Sequence, residues 1–153
     1  MNNFNPQQQL DGWIQTEARK QDKKVYGLET IDIQIKVLFN SQSLKRQAEQ
    51  LFCTLMHLDL LDQMSQKMTI AYLNQDIDLI EKIMKEKMDN ACDFFPEEEE
   101  ELNYGRNANW VKLMPPIMKE KSTLFTVGSG HLPGKLGVLN MLGKQGYTIK
   151  PVK

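Results

Sequence analysis

Ser122-Thr123-Leu124-Phe125-Thr126-Val127 runs directly into Gly128-Ser129-Gly130-His131-Leu132-Pro133-Gly134. The first six residues are rich in β-branched and aromatic side chains, the composition of a buried strand. The next seven hold three glycines and a proline, the composition of a loop. Lys135 to Lys144 then places Leu136, Leu139 and Met141-Leu142 at helical spacing, and Gln145-Gly146 stops it. Tyr147-Thr148-Ile149-Lys150-Pro151-Val152 reads as a last strand. Strand, Gly-rich loop, helix and strand in that order predict a right-handed parallel crossover over 122–153. The fold class expected is α/β: helix-rich, with a small, mainly parallel sheet that ends in this unit.

Working back from it, residues 1–121 read as mostly helical with one strand near 24–29. Asn5 and Pro6 look like an N-cap and first helical residue, before Leu10, Trp13, Ile14 and Ala18 on one face. Arg19 to Lys24 reads as a solvated helix end, and Lys24-Val25-Tyr26-Gly27-Leu28-Glu29 as a strand. Thr30 caps a helix carrying Ile31, Ile35 and Leu38 that ends near Asn40. Ser43 opens a long helical region. Leu44, Ala48, Leu51, Phe52 and Leu55 form its core stripe, which Leu58, Leu61, Met64, Met68 and Tyr72 extend past a break near Asp59. Asp76 caps the helix of Ile77, Ile80, Ile83 and Met84. Phe94-Phe95-Pro96 marks another start, with Glu97 to Glu101 in the first turns, where the helix dipole favours negative charge. That helix carries Arg106, Trp110 and Leu113 until Pro115-Pro116 disturbs or ends it. Tyr72 and Trp110 read as core aromatics, and the nine methionines as apolar filler, not a copper site.

Composition bounds the function. The chain of 153 residues suits one domain, and 41% hydrophobic with 25% charged residues excludes wholesale disorder. No apolar run reaches the roughly 20 residues that cross a bilayer, so no direct membrane insertion is expected. Met1 to Leu10 is polar and lacks an export pattern. The chain as written is thus expected in the cytoplasm, or in the cell envelope or medium if a longer parent carries a signal. Cys53 and Cys92 are too few for a disulfide scaffold. Buried thiols in a reducing compartment are expected, with one bridge between them left open. The net charge of -1 hides two blocks. Residues 1–101 hold 11 basic and 19 acidic side chains, a balance of -8, and residues 102–153 hold 8 and 1, a balance of +7. Mutual attraction within the chain is the favoured reading, and an anionic partner the other. The scattered basic residues, with few aromatics between them, argue against nucleic acid.

The loop is where an α/β protein would carry its chemistry. It is not a phosphate loop. Gly128 to Gly134 leaves five residues and Gly130 to Gly134 three where a Walker loop needs four, and Leu136 replaces the magnesium-binding hydroxyl. The dinucleotide pattern fails as well, with Pro133 in place of its third glycine. His131 is the better clue, since imidazole is both a metal ligand and a base near neutral pH. A single loop histidine also serves structural roles. His57, the other histidine, reads as a residue at the edge of the core.

Gly128-Ser129-Gly130-His131-Leu132-Pro133-Gly134, followed by Gly137, Leu142, Gly146-Tyr147 and Pro151-Val152, resembles the C-terminal signature of the TraB/PrgY/GumN family, whose metazoan relatives are the Tiki proteins. Gly27-Leu28-Glu29-Thr30 with Gln34 resembles its internal G-L-E-T…Q element. Ala71-Tyr72 before Asp76, and Arg106-Asn107 before Trp110, resemble two further landmarks. These lie in family order across about residues 6–153.

The resemblance implies a metal-dependent hydrolase, most simply a peptidase, acting on a peptide or protein. It assigns Gly128 to His131 as the second of two G-x-x-H motifs. It makes His131 and Glu29 ligands of a divalent metal ion, and Glu29, Arg106 and His131 the catalytic set. Gly128, Gly130, Gly134 and Asn107 then line the substrate or shape the loop. Glu29 also suits a helix-start cap or ion pair, and Arg106 suits neutralisation of the Glu97–Glu101 turn. No first G-x-x-H precedes Gly27-Leu28-Glu29-Thr30. The chain is therefore expected to hold the C-terminal portion of the family domain and to be incomplete as a catalyst by itself. A homodimer or a missing N-terminal half would complete it. The alternative is a non-catalytic peptide-binding, anion-binding or regulatory module.

Overall fold

A computed structural model describes residues 9–88 and 91–152. Its helices are α1 (Leu10–Lys20), α2 (Ile31–Ile35), α3 (Leu44–Met56), α4 (Leu58–Leu73), α5 (Ile77–Met84), α6 (Pro96–Glu99), α7 (Gly105–Glu120) and α8 (Val138–Lys144). α2 continues into a π-helical turn, Lys36–Asn40, and α6 into another, Glu100–Tyr104. A 3-10 turn, Ser129–His131, lies between α7 and α8.

The chain is 65% helical, and no strand occurs among the described residues, which overturns the α/β expectation. Residues 24–29, 122–128 and 147–152 are irregular. β-branched and aromatic side chains favour a pleated backbone, but a strand exists only where a neighbour completes its hydrogen-bond ladder. Among the described residues none of the three segments has such a neighbour. The parallel sheet and the strand–loop–helix–strand unit fall together, and what remains is a loop, a 3-10 turn and a helix. No described helix is long and apolar enough to cross a membrane.

The chain divides into two compact units, 1–30 and 31–153. In the first, α1 carries Asp11 in its first turn and Arg19 and Lys20 in its last, the arrangement the helix dipole favours. The expected Asn5-Pro6 start lies outside the described residues. α1 stops in a Schellman turn: Asp22 takes φ +53°, and the Asp22 and Lys23 N–H groups donate to Arg19 and Ala18. A tight bend follows, in which a Cβ on Gly27 would come within 2.8 Å of the Glu29 carbonyl oxygen.

In the second unit the local signals hold. The Ser43 hydroxyl accepts from the Arg46 N–H at 3.2 Å, and the Asp76 carboxylate accepts from the Leu79 N–H at 2.9 Å. Both are N-caps at the expected places. The break after α3 falls at His57, two residues before the expected Asp59. His57 is exposed there, not at a core edge. Glu98 reaches back to the Phe95 N–H at 2.9 Å, the return half of a capping box.

The core departs from the expected stripes. Ala71, Ile80 and Ile83 form one buried cluster between α4 and α5, with Met68 and Leu79 packed against it. Trp110, Val111 and Met114 of α7 are buried, as are Val138 and Leu142 of α8, which packs on α7. The stripe of α3 is not core: Leu44, Leu51, Phe52 and Leu55 are exposed, and Arg46 and Cys53 are buried in their stead. Tyr72 is also exposed, at 54%. The two cysteines are not free thiols, because Cys53 and Cys92 are joined in a disulfide with Cα atoms 5.4 Å apart. Nor do the prolines end α7, which runs through Pro115 and Pro116 to Glu120. They remove only the donors to Val111 and Lys112, and the buried Val111 and Met114 hold the helix across that gap.

Candidate functional site

The His131 loop is built against one face of α7 and its lead-in. Asn103, Asn107 and Trp110 follow at spacings of four and three, so a single helical face presents them in a row. Asn103 Nδ2 donates to the Gly130 carbonyl at 3.3 Å. Its Oδ1 is buried without a hydrogen-bond partner among the described residues. Asn107, 1% exposed, makes two bonds. Its Nδ2 donates to the Leu136 carbonyl at 2.9 Å, and its Oδ1 lies 2.7 Å from His131 Nδ1. The His131 ring sits against the Trp110 indole, with centroids 4.6 Å apart and planes inclined at 50°. Arg106 lies at the same indole, its guanidinium carbon 4.9 Å from the ring centroid, and its Nη1 donates to the Leu102 carbonyl at 3.0 Å. That bond ties the guanidinium to the turn that leads into α7.

The loop is tight at both ends. The His131 N–H donates to the Gly128 carbonyl at 2.9 Å, closing the 3-10 turn. Gly134 takes φ +82°, and a Cβ there would meet Glu81 Oε1 at 2.6 Å. The positive φ is what favours glycine here, since the Glu81 carboxylate lies at the end of a flexible side chain. A Cβ on Gly130 would lie 3.1 Å from the Met84 sulfur. The loop thus rests on α5, whose Glu81 and Lys85 form an exposed ion pair. Its hydrogen bond to the Glu81 carboxylate holds the Lys85 ammonium above its ordinary pKa.

Of the residues singled out in the sequence, His131, Arg106, Asn107, Gly128, Gly130 and Gly134 come together around this loop. Glu29 belongs to the first unit, half-buried at the bend after Gly27. Asn103, Glu81 and Met84 were not foreseen. The four-residue step from Asn103 to Asn107 was a readable signal for the first. Nothing local links Glu81 or Met84 to a loop about fifty residues away.

The residues present do not close a metal site. Among the described residues no three His, Cys, Asp or Glu side chains gather where an ion could sit. A catalytic zinc takes three protein ligands and a structural one takes four. His131 offers one imidazole donor, and its described partners are two asparagine-type and aromatic groups and a cation at the shared indole, none of them a strong ligand. What the arrangement can do by itself is fix an imidazole in orientation and keep a guanidinium close to the same aromatic ring.

No curated protein and no solved structure matches this chain. The TraB/PrgY/gumN family matches it over residues 1–151, essentially from end to end. That match and the ordered landmarks around Glu29, Arg106 and His131 agree, and the chain belongs to the TraB/PrgY/gumN family.

Proposed function

We propose that this chain carries the histidine side of a hydrolase site acting on a peptide or protein, with a divalent metal ion as the cofactor, and that it is incomplete as a catalyst by itself. The observation that supports this reading is the held imidazole: Asn107 fixes one edge of His131 while Trp110 covers a face. A ring so held loses little freedom when it accepts a proton from water or binds an electrophile. Arg106, beside the same indole, is the group that would stabilise an oxygen gaining negative charge. The metal would polarise a carbonyl and activate water when bound. The remaining ligands lie beyond the described cluster, and the role of Glu29 among them rests on the sequence resemblance. A second copy of the chain is the candidate to supply the rest.

Calorimetry with zinc, manganese and cobalt tests this on the purified chain beside His131→Ala. Stoichiometric binding that the substitution abolishes is the expected outcome. Equal binding by both proteins, or none by either, overturns the metal reading for this chain.

A second reading, a non-catalytic module for an acidic peptide or other anion, is favoured by the ion pairs. Those seen among the described residues, from Lys20–Glu17 to Lys87–Glu99, join two residues of 1–101. Lys112, Lys119, Lys121, Lys135, Lys144 and Lys150 are exposed and enter no ion pair among the described residues. Binding of an acidic peptide that persists in EDTA without cleavage would favour this reading over the first.

A further inference from the structure

We infer that Asn107 is a positioning residue that sets the tautomer of His131, so that Nδ1 carries the proton and Nε2 is the basic nitrogen. The argument starts at the Leu136 carbonyl. A carbonyl oxygen only accepts, so the Asn107 atom 2.9 Å from it must be the amide nitrogen. The opposite flip would set two acceptors against each other inside a site where Asn107 is 1% exposed. The amide oxygen therefore faces His131 at 2.7 Å. An amide oxygen also only accepts, so Nδ1 must donate, and in the neutral ring the lone pair resides on Nε2.

The Leu136 carbonyl is itself held in place. The Gly137 N–H donates to Gly134 at 3.1 Å, and Gly137 packs so closely on the Leu132 and Pro133 carbonyls that a Cβ would not fit. The closed loop thus orients the amide, and the amide orients the imidazole. α7 supplies the relay because Asn107 touches the loop twice, at His131 and at Leu136. The chemical use of this device rests on the proposed hydrolase reading, in which His131 is the working base or ligand. The effect on the tautomer does not.

The test is a long-range proton–nitrogen correlation spectrum of the full-length chain, labelled with nitrogen-15 and recorded without metal, above the titration of the imidazoles. His131 is expected to show a pyrrole-type Nδ1 and a pyridine-type Nε2. The exposed His57 serves as the internal reference for an imidazole in water, which favours the opposite tautomer. In Asn107→Ala, His131 is expected to move to the pattern of His57. In Asn107→Asp, which keeps an acceptor at the position, the Nδ1–H form is expected to return. An Nε2–H tautomer in the parent chain overturns the inference, and that measurement needs no variant to fold. An unchanged His131 pattern in a folded Asn107→Ala overturns it too. A chain with the Nδ1–H tautomer that binds no metal would sink the hydrolase reading and leave the role of Asn107 intact.

Discussion

Arg46 is the residue whose environment departs furthest from its type. Its side chain is 9% exposed and lies on the helix face opposite the one the apolar stripe of α3 would bury. Its guanidinium makes two parallel bonds to Glu98, at 2.8 and 2.9 Å, and donates to the Ala91 and Asp93 carbonyls at 2.9 and 2.6 Å. It also lies 4.1 Å from the centre of the Phe95 ring. A buried cation is tolerable when it is paired and well hydrogen-bonded, and four of the five guanidinium N–H donors are used here. Arg46→Ala leaves the Glu98 carboxylate without its partner and is expected to cost about 3–5 kcal/mol in urea unfolding. The pH dependence follows with a definite sign. The hydrogen bond from Arg46 holds the Glu98 carboxyl below the usual carboxylate range. The stability it confers is therefore complete above the unfolded-state pKa and is lost as the pH falls through the lower, folded value. Acid unfolding profiles should show that loss in the parent chain, and Glu98→Gln should flatten the acid limb. A sequence stripe could not reveal Arg46, because its partner lies 52 positions away. His131 was legible because its glycines are its neighbours.

Elements divide along the same line between local and distant causes. The caps at Ser43 and Asp76 were readable since a cap needs only the next three residues. The stop at Gly146, with φ +93°, was readable as well, and the Gly146 and Tyr147 N–H groups close it on Gly143 and Leu142. The same Schellman turn ends α4 at Gln75, φ +57°, where the sequence offers no glycine to announce it. The strands failed because a ladder requires a partner that local composition does not name. The disulfide stayed an open alternative for that reason also: cysteines 39 positions apart give no sign of meeting. It ties α3 to the segment that the Arg46 cluster grips, so covalent and ionic links act on one junction. Closing a loop of about 40 residues removes freedom from the unfolded chain worth about 4 kcal/mol. Cys53→Ser with Cys92→Ser is expected to lower unfolding stability by up to that amount. The same loss should appear in the parent chain under reductant. Unchanged denaturation midpoints in both experiments would mean that the Arg46–Glu98 junction holds this region without the bridge.

At the scale of the whole molecule, the two charge blocks were legible in the sequence, but their relation was not. Mutual attraction between the blocks was the favoured reading, and the ion pairs seen among the described residues join side chains of 1–101. Proximity along the chain accounts for part of this: three of them join residues within one helix or its flanks, where spacings of three and four bring opposite charges together at little entropic cost. The acidic block satisfies part of itself locally, while Lys112, Lys119, Lys121, Lys135, Lys144 and Lys150 are exposed and enter no ion pair among the described residues. A charge asymmetry of this kind has a field that the net charge of -1 conceals. The chain is therefore expected to be retained on a sulfonate cation-exchange resin at pH 7 and low salt, although its isoelectric point of about 6.1 would place it in the flow-through. Retention should disappear by roughly 0.15 M salt, where screening reaches about 8 Å. Lys119→Glu with Lys121→Glu should reduce it, because both side chains are exposed and unpaired among the described residues. Flow-through of the parent chain would mean that acidic residues cover the basic surface in solution, and the anion-binding reading would lose its support while the His131 site would stand or fall by its own metal titration.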